Sequence, residues 1–182
     1  MSATSTTTKW AIDPTHSEVH FKVKHLVIST VTGSFKAFSG NATFDNDNLE
    51  NANINFSIDP ASIDTNQEQR DGHLKSPDFF DVANHPAITF KSNSLKHIKG
   101  DNYKLTGDLT VRGVTKQVEV DAEYGGTAKD GYGNTKMGFE VTGVIHRKDF
   151  GLTWNSVTEA GGVVVGEDIK LSANIQLVQQ AN

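Results

Sequence analysis

Ile63-Asp-Thr-Asn-Gln-Glu-Gln-Arg-Asp-Gly-His-Leu-Lys-Ser-Pro-Asp-Phe-Phe-Asp-Val-Ala-Asn-His-Pro86 is the stretch of this 182-residue chain where the hydrophobic pattern stops alternating. Thr65, followed three residues later by Glu68, has the spacing of a capping box and predicts a short helix over about residues 66–75. Ser76-Pro77 ends it, because the proline ring drives the preceding residue out of helical angles. On either side the hydrophobic period is two, the period of strands. A series of strands interrupted once by a short helix predicts an all-β barrel with that helix laid across an opening. An open barrel has room for a ligand.

Moving outward, residues 18–25 place Val19, Phe21, Val23 and His25 on one face and His20, Lys22 and Lys24 on the other. Residues 31–44 change parity, from Phe35 to Phe38, Ala42 and Phe44, which predicts a bulge or bend that curls the sheet. Residues 45–48, Asp-Asn-Asp-Asn, read as a turn. Residues 53–59 alternate with Ile54, Phe56 and Ile58 inward. Beyond the helix and a loop carrying Phe79 and Phe80 come five further segments, residues 87–95, 103–111, 116–124, 136–145 and 162–178. Their inward sets include Ile88 and Phe90; Leu105 and Leu109; Val118, Val120 and Ala122; Phe139, Val141 and Ile145; and Ile169 to Leu177. Arg112-Gly113-Val114 reads as a tight hairpin, and residues 125–134, with four glycines, as a longer one. The pattern is about eight antiparallel strands in one domain over residues 10–179. Residues 1–9, mostly Ser and Thr, are expected to be a disordered polar tail.

Composition narrows the function. The net charge is -5 and the sequence pI about 5.8, which disfavours nucleic acid and anionic lipid surfaces as partners. There is no cysteine, so disulfides, zinc-thiolate sites and thiol catalysis are excluded. The mean hydropathy is -0.43, and no apolar run reaches the roughly 18 residues of a membrane span. The N-terminus lacks the basic start and apolar run of a secretory signal, so the chain as given reads as cytoplasmic, or as periplasmic if a signal was removed from a precursor.

Seven histidines raise a metal hypothesis. His16 and His20 have a spacing that serves metals on helices. On a strand, four residues cover about 13 Å, too far for two ligands of one ion. His20 and His25 face opposite ways. No metal is expected, and no catalytic cofactor. The carboxylates Asp64, Asp71, Asp78, Asp81 and Asp149 form no pair that stands out among 22 acids. Arg70-Asp71 and Arg147-Lys-Asp149 read as ion pairs tying the helix to the rim, or as contacts to a polar head group through Arg70 or Arg147. No nucleophile elbow, phosphate loop or dinucleotide fingerprint is present. Ten phenylalanines need no polar partner when buried; they either fill the barrel solid or line a cavity.

The chain resembles the YceI family, the lipocalin-like polyisoprenoid-binding proteins. The resemblance runs from Trp10 to about Leu177. It is carried by Trp10-Ala-Ile-Asp-Pro-Thr-His-Ser17, Val19-His-Phe-Lys-Val-Lys-His-Leu26, Val31-Thr-Gly-Ser-Phe35, Ser62-Ile-Asp-Thr65, Arg70-Asp-Gly-His-Leu-Lys-Ser76 and Asp78-Phe-Phe-Asp81. It continues through His85-Pro-Ala-Ile-Thr-Phe90, Gly107-Asp-Leu-Thr-Val-Arg-Gly-Val-Thr-Lys116 and Arg147-Lys-Asp-Phe-Gly-Leu152. It implies an extended eight-stranded antiparallel barrel whose hydrophobic tunnel holds long isoprenoid lipids, quinone-like or phosphorylated, or other long amphiphiles. Many relatives are periplasmic, and homodimers are common among them. The family carries no sharp catalytic motif.

On this reading the protein is a non-enzymatic carrier, store or sequestering agent for a long-chain lipid. The expected lining is Phe21, Val23, His25, Phe35, Phe38, Phe44, Phe56 and Ile58 from the first strands. Leu74, Phe79, Phe80 and Phe90 follow from the helix region and beyond. Leu105, Leu109, Phe139, Val141, Ile145, Phe150, Leu152 and Trp154 complete it. Two rival readings are an enzyme acting on such a lipid, with His25, Asp149 or Arg147 near the head group, and a solid-core barrel that binds proteins through its edges or loops.

Overall fold

A computed structural model describes residues 7–45, 48–156 and 164–181. Within them run β1 (Thr7–Ile12), β2 (Glu18–His25), β3 (Ser29–Phe35), β4 (Phe38–Asp45), β5 (Asn48–Ile58), β6 (Ile63–Asp64), α1 (Glu68–Lys75), β7 (Ile88–Lys99), β8 (Asn102–Val111), β9 (Val114–Lys129), β10 (Thr135–His146) and β11 (Asp168–Gln179). Eight strands, in the order β1-β4-β5-β7-β8-β9-β10-β11, close into an antiparallel barrel where β11 pairs with β1. The seam is short: Trp10 faces Gln179, Ala11 faces Val178 and Ile12 faces Leu177. Further along, the same β11 pairs with β2, Leu171 opposite Phe21. Strands β1 and β2 are therefore one wall broken by a corner at residues 13–17. β3 and the short β6 continue the sheet from β2 at one end of the barrel.

The parity change in residues 31–44 is a real break. β3 ends at Phe35 and β4 starts at Phe38. Between them Lys36 N–H donates to Ser62 O and Asp59 N–H to Ala37 O, so the bend is held by the segment before α1. The 112–113 link is a two-residue turn with φ of 51° at Arg112 and 74° at Gly113, the geometry that matches strand twist in a hairpin. The longer hairpin is shorter than its glycines suggest. Gly125 to Lys129 belong to β9, and the turn is residues 130–134, held by Asp130 accepting from the N–H groups of Tyr132 and Asn134. β1 begins at Thr7, inside the segment read as a tail; residues 1–6 lie outside the described residues, as do 46 and 47 of the proposed turn. The last strand starts at Asp168 rather than 162, and residues 162 and 163 also lie outside. Val164 to Gly166 instead run beside the β2 end, where Leu26 N–H donates to Val164 O and Gly166 N–H to Lys24 O.

The helix forms, with a different cap. Gln67 is the N-cap, its side chain accepting from Arg70 N–H, and Glu68 is the first helical residue. Thr65 is buried and engaged elsewhere. Its hydroxyl donates to Asp71 Oδ1 at 2.5 Å and accepts from Arg70 Nε at 2.8 Å. Two side-chain oxygens near the helix start, on Thr65 and Gln67, compete for the cap. Asp71 takes the threonine, which leaves the glutamine to cap.

Inside, the apolar residues form two clusters, one toward each end. Trp10, Phe44, Leu95, Leu105 and Met137 belong to one, and Phe35, Ile63, Ile88, Phe150 and Leu152 to the other. The outer wall is polar, as where Lys104 Nζ on β8 lies 2.6 Å from Asp121 and 3.5 Å from Glu119 on β9. That sidedness is the reverse of a lipid-facing barrel, whose outer band is apolar. No helix among the described residues is long and apolar enough to cross a membrane.

Candidate functional site

Between the two clusters lies a cavity of about 200 Å³. It exists because inward positions near the waist carry small side chains, Ala42, Ala122 and Ala173 among them. Glycines create further room. The ring of Phe90 lies over Gly107, where an added Cβ would stand 2.4 Å from its Cζ, and Val120 fills the space over Gly143. The large residues at this level, Phe56, Phe90, Phe139 and Val141, are only half-buried although they point inward. Their remaining exposure is to the bore.

Of the expected lining, Phe35, Phe44, Phe56, Ile58, Phe90, Leu105, Leu109, Phe139, Val141 and Ile145 reach this cavity. The other ten do not. Phe21 lies flat over Gly33 on β3, where an added Cβ would stand 2.3 Å from its Cζ, and packs on Phe35. Val23 and His25 lie beyond the last pairing of β2 with β11, on a hairpin that leaves the barrel, and His25 is exposed. Phe38 packs on Phe56 with ring centres 6.0 Å apart. Leu74, Phe79, Phe80, Phe150 and Leu152 close the helix end as solid packing, with Phe80 edge-on to Phe35. Trp154 clamps the rings of His73 and Phe79 from outside. The stretch around the helix folds over the barrel end as a lid, so its aromatics plug rather than line. The lining residues left out of the expectation include the small Ala42, Ala122 and Ala173 and also large ones such as Leu95, Val120, Ile175 and Leu177, most of which share the inward parity of their strands.

The opposite end is open. A mouth of about 660 Å³ is bounded by Thr8, Asp45, Glu50, His97, Tyr103, Tyr124 and Thr127, among others. Here hydroxyls and amides replace carbon. Trp10 Nε1 donates to Thr8 Oγ1 at 2.8 Å, Tyr124 Oη bonds Thr127 Oγ1, and Glu50 Oε1 accepts from His97 N–H at 2.7 Å. Phe44 borders both mouth and cavity and is 1% exposed. It packs edge-on to Trp10 at 6.5 Å and stacks on Phe139 at 6.2 Å, an aromatic partition between polar entrance and apolar bore.

The two arginines read as possible head-group contacts lie at the helix end of the barrel and bond backbone carbonyls. Arg147 is 2% exposed and donates to the carbonyls of Leu152, Trp154, Val165 and Gly166 at 2.6–3.2 Å. Burial pulls its pKa below the usual guanidinium value while nearby Glu167 opposes the shift. Guanidinium remains charged in any protein, so the carbonyls stand in for a counter-ion. Arg70 donates to Thr65 Oγ1 and Thr65 O. Asp149 is exposed.

The family profile described as "YceI-like domain" matches residues 10–177. The chain belongs to the YceI-like family. Among relatives of this YceI-like chain, a UPF0312 protein of Pectobacterium atrosepticum is 39% identical over 91% of this chain and 82% of its own length. A UPF0312 protein of Staphylococcus epidermidis is 36% identical over 93% and 96%. Among solved structures, the Campylobacter jejuni YCEI protein matches with a TM-score of 0.75 and 36% identity, covering 88% of this chain and 91% of that one. A polyisoprenoid binding domain from Saccharophagus degradans shares the fold at a TM-score of 0.71 and 15% identity, over 94% and 98%. The barrel described above is thus a YceI-like fold.

Proposed function

We propose that the protein binds a long-chain apolar lipid, of polyisoprenoid or quinone-like type, in the bore, and carries, stores or sequesters it rather than transforming it. The observation behind this reading is the cavity itself: apolar side chains face an unfilled space in the middle of a closed barrel, with a polar mouth at one end. The fold shared with a polyisoprenoid binding domain supports the same ligand class. Burying each methylene is worth about 0.8 kcal/mol, so a long tail binds without many hydrogen bonds. Binding rather than chemistry suits a bore lined by carbon.

The size of the cavity adds a condition. An apolar cavity of roughly 150 Å³ takes up one benzene ring. About 200 Å³ therefore holds only a short piece of an isoprenoid chain, and a longer tail enters when half-buried rings such as Phe56, Phe90 and Phe139 swing against the walls. Organic extraction of the purified protein followed by mass spectrometry tests the reading. A long-chain species near one per chain is the expected result. Protein that neither yields a lipid nor takes one up when soaked with a prenol would leave a barrel with some other task.

A further inference from the structure

The mouth and the three arginines together bear on which polar head a lipid in the bore would carry. We propose that the mouth seats the head group, and that it selects a neutral oxygen head, a hydroxyl or a carbonyl, over a phosphate or diphosphate. This rests on the reading of the bore as a lipid site.

Three observations carry it. First, the mouth is a polar space on the far side of the buried layer of Trp10, Phe44, Leu95 and Met137, with Phe44 lining both mouth and cavity, so an amphiphile whose tail threads this layer into the bore has its head there. Second, the mouth offers hydrogen bonds without positive charge. Tyr103 lines it half-buried, its ring beside His97 at 5.3 Å, and its hydroxyl makes no hydrogen bond to a described residue. Among the described residues lining the mouth there is no lysine or arginine, whereas Glu50 and Asp45 are both carboxylates. Phosphate recognition depends on guanidinium, ammonium or convergent N–H groups, and a carboxylate beside a phosphate repels it. Third, the chain has only three arginines, and each already donates to its own backbone. Arg70 holds Thr65 O, Arg112 holds Phe79 O at 3.0 Å, and Arg147 holds four carbonyls. All three lie toward the lid end, away from the mouth.

Three ligands with one tail length isolate the head: geranylgeraniol, geranylgeranyl diphosphate and the hydrocarbon phytane, each titrated into delipidated full-length protein and read by native mass spectrometry. Geranylgeraniol is expected to bind at least tenfold tighter than either of the others. Tyr103→Phe is expected to bring geranylgeraniol close to phytane. Glu50→Lys, with Glu50→Gln as the control that keeps an acceptor for His97 N–H, is expected to close most of the gap to the diphosphate. Equal affinity for alcohol and diphosphate overturns head selection and leaves the lipid reading intact. Equal affinity for all three shows that no head is read. Tighter alcohol binding that Tyr103→Phe leaves untouched places the head somewhere other than the mouth. If none of the three binds, the lipid reading falls, and this inference with it.

Discussion

Thr65 shows what one residue can hold. Its hydroxyl sits between the Asp71 carboxylate and the Arg70 guanidinium, and its backbone N–H also reaches Asp71 Oδ1 at 2.9 Å. Hydrogen bonds to charged groups are worth about 1.5–3 kcal/mol, against about 1 kcal/mol for a helix cap. Thr65→Ala is therefore expected to cost about 2–3 kcal/mol, and Thr65→Ser, which keeps the oxygen, under about 1 kcal/mol. Urea midpoints for the pair check this; equal losses would show that the methyl, not the hydroxyl, matters. Asp13 governs the acid side. Its carboxylate lies 2.7 Å from His16 Nδ1 and 3.2 Å from Lys136 Nζ and accepts from Thr15 N–H, led by His16 in holding its pKa at about 2 against the ordinary 3.8. The folded value is the lower one, so the contribution is complete above about pH 4 and is lost as pH falls toward 2. Asp13→Asn is expected to flatten melting temperature against pH across that window and to change little in the relative slope above it. The residue scale was the hardest to read from sequence. A capping pattern cannot say which of two adjacent oxygens is free to cap, because that depends on Asp71, whose position only the fold supplies.

At the scale of elements, the turn Arg147–Phe150 and the segments on either side of residues 157–163 are held by a single side chain. Asn155 reinforces the clip, donating from Nδ2 to Val165 O and accepting from Val164 and Val165 N–H. Removing the guanidinium strands several buried carbonyls, each costing about 1–3 kcal/mol. Arg147→Met is expected to lower stability by about 3 kcal/mol or more while lipid bound per folded chain stays near wild type. The opposite result, a normal melt with lost lipid, would return Arg147 to the head group. Strands with strict alternation were legible in place and facing, with ends off by up to six residues, since period-two burial is a local property and strand ends are not. β1 was not, because Thr7 to Lys9 look like polar tail until their partners are known. Thr8 is buried only because its hydroxyl accepts from Trp10 and donates to Phe44 O. The bend of β2 away from the barrel likewise depends on β11 and misdirected His25.

Across the whole molecule, the barrel could be read from pattern because every segment agreed on one architecture. Whether it was solid or hollow could not. Parity says that a side chain faces inward, not how much of the interior it fills. Val141, half-buried on the cavity wall, distinguishes the two. An indole there extends into free space in a hollow barrel, whereas in a filled core it would cost roughly 1–3 kcal/mol. Val141→Trp is expected to abolish extractable lipid with only a small drop in melting temperature. A large drop, with lipid retained by the survivors, would contradict the hollow barrel.

The three-pair seam between Trp10–Ile12 and Leu177–Gln179 also sets an order of assembly. β1 is the first of the eight barrel strands in chain order, and one of its two barrel neighbours is the last. Until β11 arrives, β1 has β4 on one side and a bare edge on the other, and the bore stands open along its length. Such long-range closure folds in about milliseconds to seconds, and unpaired edges recruit other chains meanwhile. A chain halted before Asp168 is therefore expected to pellet on centrifugation while the full chain stays in solution. A soluble, monomeric truncation would show that the open sheet protects its own edge. The closing strand is thus also a release signal: the barrel becomes safe from its neighbours only once β11 is in place.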